Sequence, residues 1–315
     1  MSQTAQRSDL LDRVAADGLL SAGRPVLVLL SGGRDSTCLL DLASRIAGPD
    51  AVRALHVNYG LREGADRDQR HCAELCAQLG VALEVHRPGP PPGPGNLQAW
   101  ARDVRYGKAA QLAGPRDADV AAGHTATDQA ETILYRLASS PSRRALLGME
   151  PRDGRLIRPL LLYTRAETES WCLEHGLAWC EDETNASSTF ARGRVRGELV
   201  PALRSVHPGA ERNVIAVAEI LRQEAEVLDL LVDQVLDDSD AVELGRLRRL
   251  PLALARLVVQ RLADRAAGAL APGVARRTEE LLALSDDRTA RLDVGGGVRA
   301  VVDCGLLRFE PRPPA

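Results

Sequence analysis

VLVLLSGGRDSTCLLDLASRIA, residues 26–47, decides the fold. Five apolar residues, Val26 to Leu30, run directly into Ser31-Gly32-Gly33-Arg34-Asp35-Ser36, and from Ser36 to Ile46 the apolar residues recur at helical spacing. The stretch therefore reads as strand, tight turn, helix. The same alternation continues outward: Val52 to Val57, Val81 to Val85 and Asp119 to Ala122 predict further strands, and Ala65 to Leu79 and Leu97 to Leu112 predict the helices between them. Parallel strands need long crossovers, which are usually helical, so this pattern predicts an α/β domain: a parallel sheet with flanking helices. Ligands in such sheets bind at the carboxyl ends of the strands. Chemistry is expected just after the apolar runs.

In the 31–36 turn, two glycines let successive N–H groups face inward, and the helix start adds its partial positive charge, so a phosphate fits there. A plain turn and cap is the competing reading. Neither the lysine-bearing GxxxxGK pattern nor GxGxxG is present. Asp35 stands two residues beyond Gly33, where a carboxylate would repel phosphates unless a divalent cation lay between them. Mg²⁺-ATP is the expected ligand, with Ser31, Gly32, Gly33, Arg34, Asp35 and Ser36 holding the phosphates and Asp35 the metal.

SGGxDS after a first parallel strand resembles the pyrophosphate loop of the N-type ATP pyrophosphatases, which split ATP into AMP and pyrophosphate while adenylating a substrate. HVNYGLR (56–62), GNLQAWARDVRY (95–106), GHTATDQAET (123–132), LIRPLL (156–161) and EDETNASSTFARGRVRGELVP (181–201) then follow in the order of the tRNA(Ile)-lysidine synthase family. The resemblance covers about residues 20–215 and is to the short form of that family. It implies a Rossmann-like catalytic domain over 1–210. The implied activity is adenylation of the wobble cytidine C2 of tRNA(Ile) by ATP, followed by attachment of L-lysine.

Asp128 and Glu131 lie three apart in a segment of helical pattern (Ala130, Ile133, Leu134, Leu137), so both project from one face near its first turn. Such a pair suits a cationic amine, although acids at a helix start often serve only the helix dipole. The resemblance implies that these two contact the substrate lysine. It also marks Arg105 as catalytic and Arg192, Arg194 and Arg196 as substrate-binding. Their guanidinium forks suit ATP phosphates or departing pyrophosphate, and with a spacing of two, only one or two of the last three would face the site. Tyr59, Thr127, Gly193 and Ser140-Pro141-Ser142 depart from the family pattern.

Composition bounds the rest. With 315 residues, 45% of them apolar, the chain is expected to form about two folded domains rather than a disordered one. The formal charge of -3 points to no polybasic tail. Six cysteines without a CxxC pair read as reduced thiols, and the start of the chain shows no secretory pattern, so a cytoplasmic location away from membranes is expected. After about residue 210 long helices are predicted, closing on a hairpin at RLDVGGGVRAVVD, so 211–315 reads as a mainly helical domain expected to contact tRNA. Residues 219–243 carry nine acids and one arginine, whereas 244–277 carry eight arginines and one acid. That basic stripe suits a phosphate backbone, or pairs with its acidic neighbour. Residues 136–158 add six arginines against two acids. A homodimer is compatible with the sequence. Two other readings stay open: a related pyrophosphatase with another acceptor, such as a tRNA sulfur-inserting enzyme using Cys72 and Cys76, and a non-catalytic nucleotide or RNA binder.

Overall fold

Strand β1 (Val26–Leu29) lies at the middle of a six-stranded sheet, with β2 (Val52–Val57) and β3 (Ala82–His86) on one side and β4 (Asp119–Ala121), β6 (Leu156–Ile157) and β5 (Arg152–Asp153) on the other. The computed structural model describes residues 9–61, 63–93, 96–140, 143–181 and 191–312, with Asp9 and Arg192 described by their main chain alone. Every pairing is parallel except that of β5 with β6. Val26 and Val28 of β1, with Leu30 just beyond it, pack into one core, while Leu27 and Leu29 pack into another on the opposite face. That two-residue alternation is why a continuous apolar run was required: both faces of the central strand are covered.

Helix α1 (Asp9–Ala16) precedes the sheet, α2 (Arg34–Ala47) and α3 (Ala65–Leu79) follow β1 and β2, and α4 (Leu97–Ala113) crosses to β4. Asn96 at the end of the Pro-Gly loop caps α4 by accepting the Ala99 N–H at 3.2 Å; Pro94 and Gly95 of that loop lie outside the described residues. Helix α5 (Ala126–Ser139) follows β4, the one-turn α6 (Arg143–Leu146) comes next, and α7 (Arg165–Glu174) follows β6 and packs on α2. Strands β5 and β6 go beyond the four that the sequence predicts. Each is two residues long, too short to display a periodicity.

The chain divides into two units, Met1–Glu219 and Ile220–Ala315, within the helix Ala210–Leu236. The second unit holds a four-stranded antiparallel sheet beside its helices. The predicted glycine hairpin is β8 (Ala290–Gly295) with β9 (Val298–Asp303), extended by β10 (Leu306–Pro311) and β7 (Ala241–Glu243). The unit is thus less purely helical than its spacing suggested. Its arginine stripe is largely matched internally: Arg261 meets Asp229 and Asp233 at 2.6 and 2.7 Å, Arg248 meets Asp286, and Arg256 meets Glu279. Among the described residues, no helix is long and apolar enough to cross a membrane.

Candidate active site

From β1 the chain runs outward through β2 and β3, then returns to β4 on the other flank of β1. The carboxyl ends of β1 and β4 therefore frame the point where strand order reverses, where a crevice opens for ligands in such sheets. The two motifs meet here. The 31–36 turn leaves β1, and the segment from Gly123 to Glu131 leaves β4.

The turn is held from within. Ser36 Oγ donates to Gly33 O at 2.8 Å and lies 3.0 Å from Ser31 Oγ, while the Ser31 and Gly33 N–H groups donate to the two hydroxyls. Gly32 has φ +87°, and a Cβ there would sit 3.1 Å from Cys72 Sγ, so both conformation and space call for glycine. The Thr37 N–H donates to Gly33 O at 3.0 Å, and the amides of Arg34, Asp35 and Ser36 ahead of it belong to the first turn, where no intrahelical acceptor exists. Gly123 presses on this turn from β4: a Cβ on it would lie 3.2 Å from the Asp35 carbonyl and the Ser36 nitrogen.

Asp35, Asp128 and Glu131 converge. Asp35 Oδ1 accepts the Thr168 hydroxyl at 2.6 Å and Arg34 Nε at 3.3 Å. Asp128 Oδ2 accepts the Thr125 N–H and hydroxyl at 2.9 and 2.8 Å, so this acid does cap its helix, and its other oxygen faces the site. Glu131 is buried, and Arg196 grips it with both arms of the guanidinium, at 2.8 and 2.9 Å. Between the three acids stands Arg165, whose role the sequence did not disclose. It lies 2.8 Å from Asp128, 3.6 Å from Asp35 and 3.9 Å from Glu131.

The electrostatics follow from this packing. Burial would raise the Asp128 carboxyl, but Arg165 and the two Thr125 hydrogen bonds outweigh it and hold Asp128 below the usual carboxylate range. The Glu131 hydrogen bonds raise Arg196 above its ordinary value. Burial pushes His124 down to about 4, with Asp128 opposing and Arg158, Arg105 and Arg102 assisting, so its imidazole is neutral at pH 7.

The other sequence candidates separate. Arg194 is exposed, and Arg196 sits in a π turn, Val195–Leu199, a wide turn often found at functional sites, which follows the short helix Ala191–Arg194. The Arg192 side chain, residues 182–190, Arg62, Pro141 and Ser142 lie outside the described residues. Arg105 makes no ion pair with the three acids among the described residues. Its guanidinium lies 5.3 Å from the Tyr106 ring centre and its charge reaches His124. Tyr59 donates to Ala101 O at 2.7 Å and packs against Trp100 in a tilted pair, ring centres 5.6 Å apart at 60°. Burial pushes the Cys72 and Cys76 thiols up to about 12 and about 11, so both are protonated packing groups. A groove of about 530 Å³ lined by Arg67, Arg70, His71, Glu74, Trp179 and Glu181 abuts the turn, where the Cys180 N–H donates to Gly32 O at 2.8 Å.

Residues 4–203 match the family model described as the PP-loop domain. The tRNA(Ile)-lysidine synthase of Gloeobacter violaceus is 40% identical over 259 residues, covering 78% of this chain and 78% of its own. That of Dehalococcoides mccartyi is 32% identical over 310 residues, covering 88% of this chain and 64% of its own, and that of Symbiobacterium thermophilum is 35% identical, covering 97% and 70%. Among solved structures, the U34-tRNA thiolase of Methanococcus maripaludis superposes with a TM-score of 0.57 at 17% identity, covering 68% of this chain and 78% of that one, which shows a shared fold. On these matches and the PP-loop sheet that carries them, the chain belongs to the tRNA(Ile)-lysidine synthase family.

Proposed function

We propose that this chain binds ATP at the 31–36 turn, adenylates the C2 oxygen of the wobble cytidine of tRNA(Ile), and lets the amine of L-lysine displace AMP, with pyrophosphate released in the first step. One observation carries the reading. A single guanidinium, Arg165, reaches both Asp35 at the phosphate turn and the Asp128/Glu131 pair, so a triphosphate and an ammonium would lie side by side.

The turn amides and the start of α2 hold the phosphates. Asp35 is the metal-binding residue. One carboxylate beside phosphates suits Mg²⁺, which is usually bound by one or two carboxylates plus substrate oxygens, and no group of three His, Cys, Asp or Glu among the described residues would enclose a metal by itself. When bound, the ion neutralises phosphate charge. Asp128 and Glu131 receive the lysine ammonium, and Arg196, with Arg192 and Arg194 of its own motif and Arg105 of the 95–106 motif, offers cationic donors to departing anions.

Free lysine has an ε-amine pKa of about 10.4, so presenting it neutral at pH 7 costs about 4.6 kcal/mol. Two carboxylates favour the charged form and oppose early proton loss. They bind and orient the amine, and the proton leaves as the nitrogen attacks and becomes more acidic. The C-terminal unit is assigned to tRNA contact and the reaction to the cytoplasm, and a homodimer is compatible with this reading. A sulfur-inserting reaction is disfavoured by the buried, protonated state of Cys72 and Cys76.

Incubation of the protein with tRNA(Ile), L-lysine and ATP should yield AMP, pyrophosphate and lysidine by mass analysis; ADP in place of AMP would overturn the assignment. Asp35→Asn should abolish adenylation, whereas Asp128→Asn should spare ATP binding and impair lysine use.

A further inference from the structure

Every oxygen of the proposed ammonium-binding pair is already occupied. Asp128 Oδ2 takes both Thr125 donors, and Asp128 Oδ1 takes Arg165 at 2.8 Å with Arg196 at 3.5 Å. Glu131 Oε1 and Oε2 take Arg196 at 2.8 and 2.9 Å. An incoming ammonium must therefore displace an internal guanidinium, since a carboxylate oxygen facing two cations gains little from a third. Arg165 is the more weakly held of the two. It makes one short contact, and its Nε is buried without a hydrogen-bond partner, 3.6 Å from Asp35. That unpaired N–H lies beside the acid that the phosphates would adjoin. Arginine binds phosphate as readily as carboxylate.

We propose, on the functional reading above, that Arg165 is the resident cation of the amine pocket. It neutralises Asp128 while the enzyme is empty and transfers to the nucleotide phosphates when ATP binds, which frees Asp128 for the substrate amine. Arg165 is a positioning residue: it couples the two substrates through one exchange of ion partners. The exchange conserves charge pairing, because each cation ends beside an anion. It therefore requires ATP and lysine to strengthen each other's binding by the same factor, as linkage demands.

The test is calorimetric titration of the full-length protein with L-lysine, with and without α,β-methylene-ATP and MgCl₂. In the wild type the nucleotide analogue should tighten lysine binding on the order of tenfold, and lysine should tighten analogue binding by the same factor. Arg165→Met keeps the stem but removes the resident charge. This variant should bind lysine without the analogue more tightly than the wild type does, with the coupling factor falling to about one. Equal lysine affinity in wild type with and without the analogue overturns the proposal, and that arm needs no variant to fold. A coupling factor in Arg165→Met equal to that of wild type overturns it as well. Lysine that binds neither protein under any condition, while the analogue still binds, defeats the functional reading instead.

Discussion

Gly123→Ala tests whether β4 holds the phosphate turn in place. The backbone at Gly123 is not in the left-handed region, so alanine is conformationally allowed and only the contact matters. Its Cβ would lie 3.2 Å from Asp35 C and O and from Ser36 N, inside the contact distance of about 3.5–4.0 Å, and a shift of a few tenths of an ångström must follow. Overpacking of this kind costs about 1–3 kcal/mol. Reduced freedom of the unfolded chain offsets about 0.4–1 kcal/mol of that, leaving a net loss centred on about 1.3 kcal/mol, within extremes of about 0–2.6 kcal/mol, and a central fall in Tm of about 3–5 °C. A 1 Å misplacement can slow catalysis about a hundredfold, so a smaller displacement of Asp35 should lower kcat/KM for ATP about tenfold. Calorimetry and pyrophosphate release at subsaturating ATP measure the two effects. Gly107→Ala is the control: it lies in α4 with nothing within 4 Å of its Cβ position, and should gain about 0.5–1 kcal/mol without altering turnover. If Gly123→Ala melts at or above the wild-type temperature with kcat/KM for ATP unchanged, the close approach does not position the turn.

Arg196→Met would leave the buried Glu131 carboxylate with Arg165 as its remaining cation. Because Arg196 is itself partly exposed, the loss should be about 2 kcal/mol, below the 3–5 kcal/mol of a fully buried pair, and a denaturant midpoint matching wild type would contradict the pairing. His124 has its folded pKa near 4, below the unfolded value of about 6.5, so its contribution to stability is complete above pH 6.5 and is lost as pH falls toward 4. Denaturant midpoints between pH 6.5 and 4 should therefore fall more steeply for wild type than for His124→Gln. Parallel slopes would show that the imidazole is not buried neutral.

Strands β1 to β4 and the phosphate turn were legible because apolar runs recur between helical segments in a covered parallel sheet and a phosphate turn needs its glycines at fixed places. Asp128 and Glu131 were legible as a pair because helical spacing alone puts them on one face. Arg165 was not, since it reaches the acids only after α7 has packed on α2. A signal was nevertheless present: TRAE at 164–167 is a capping box, with Glu167 accepting the Thr164 N–H at 2.7 Å, and a helix start after a parallel strand points its first residues at the ligand edge. Gly123 was hidden for a similar reason, because its neighbours Asp35 and Ser36 are remote in sequence. In the second unit, β7 is only three residues long and ends on an acid, so the strand that extends the sheet beyond the hairpin left little pattern to read.

The pairing of β1 with both β2 and β4 has a temporal corollary. A nascent chain can lay β2 against β1 soon after the turn is made, but β4 and Gly123 emerge only after α3, β3 and α4, and Arg165 later still. Nucleotide affinity is thus acquired late during synthesis, and a ribosome-bound intermediate lacking β4 would carry the glycine turn without the wall that stiffens it.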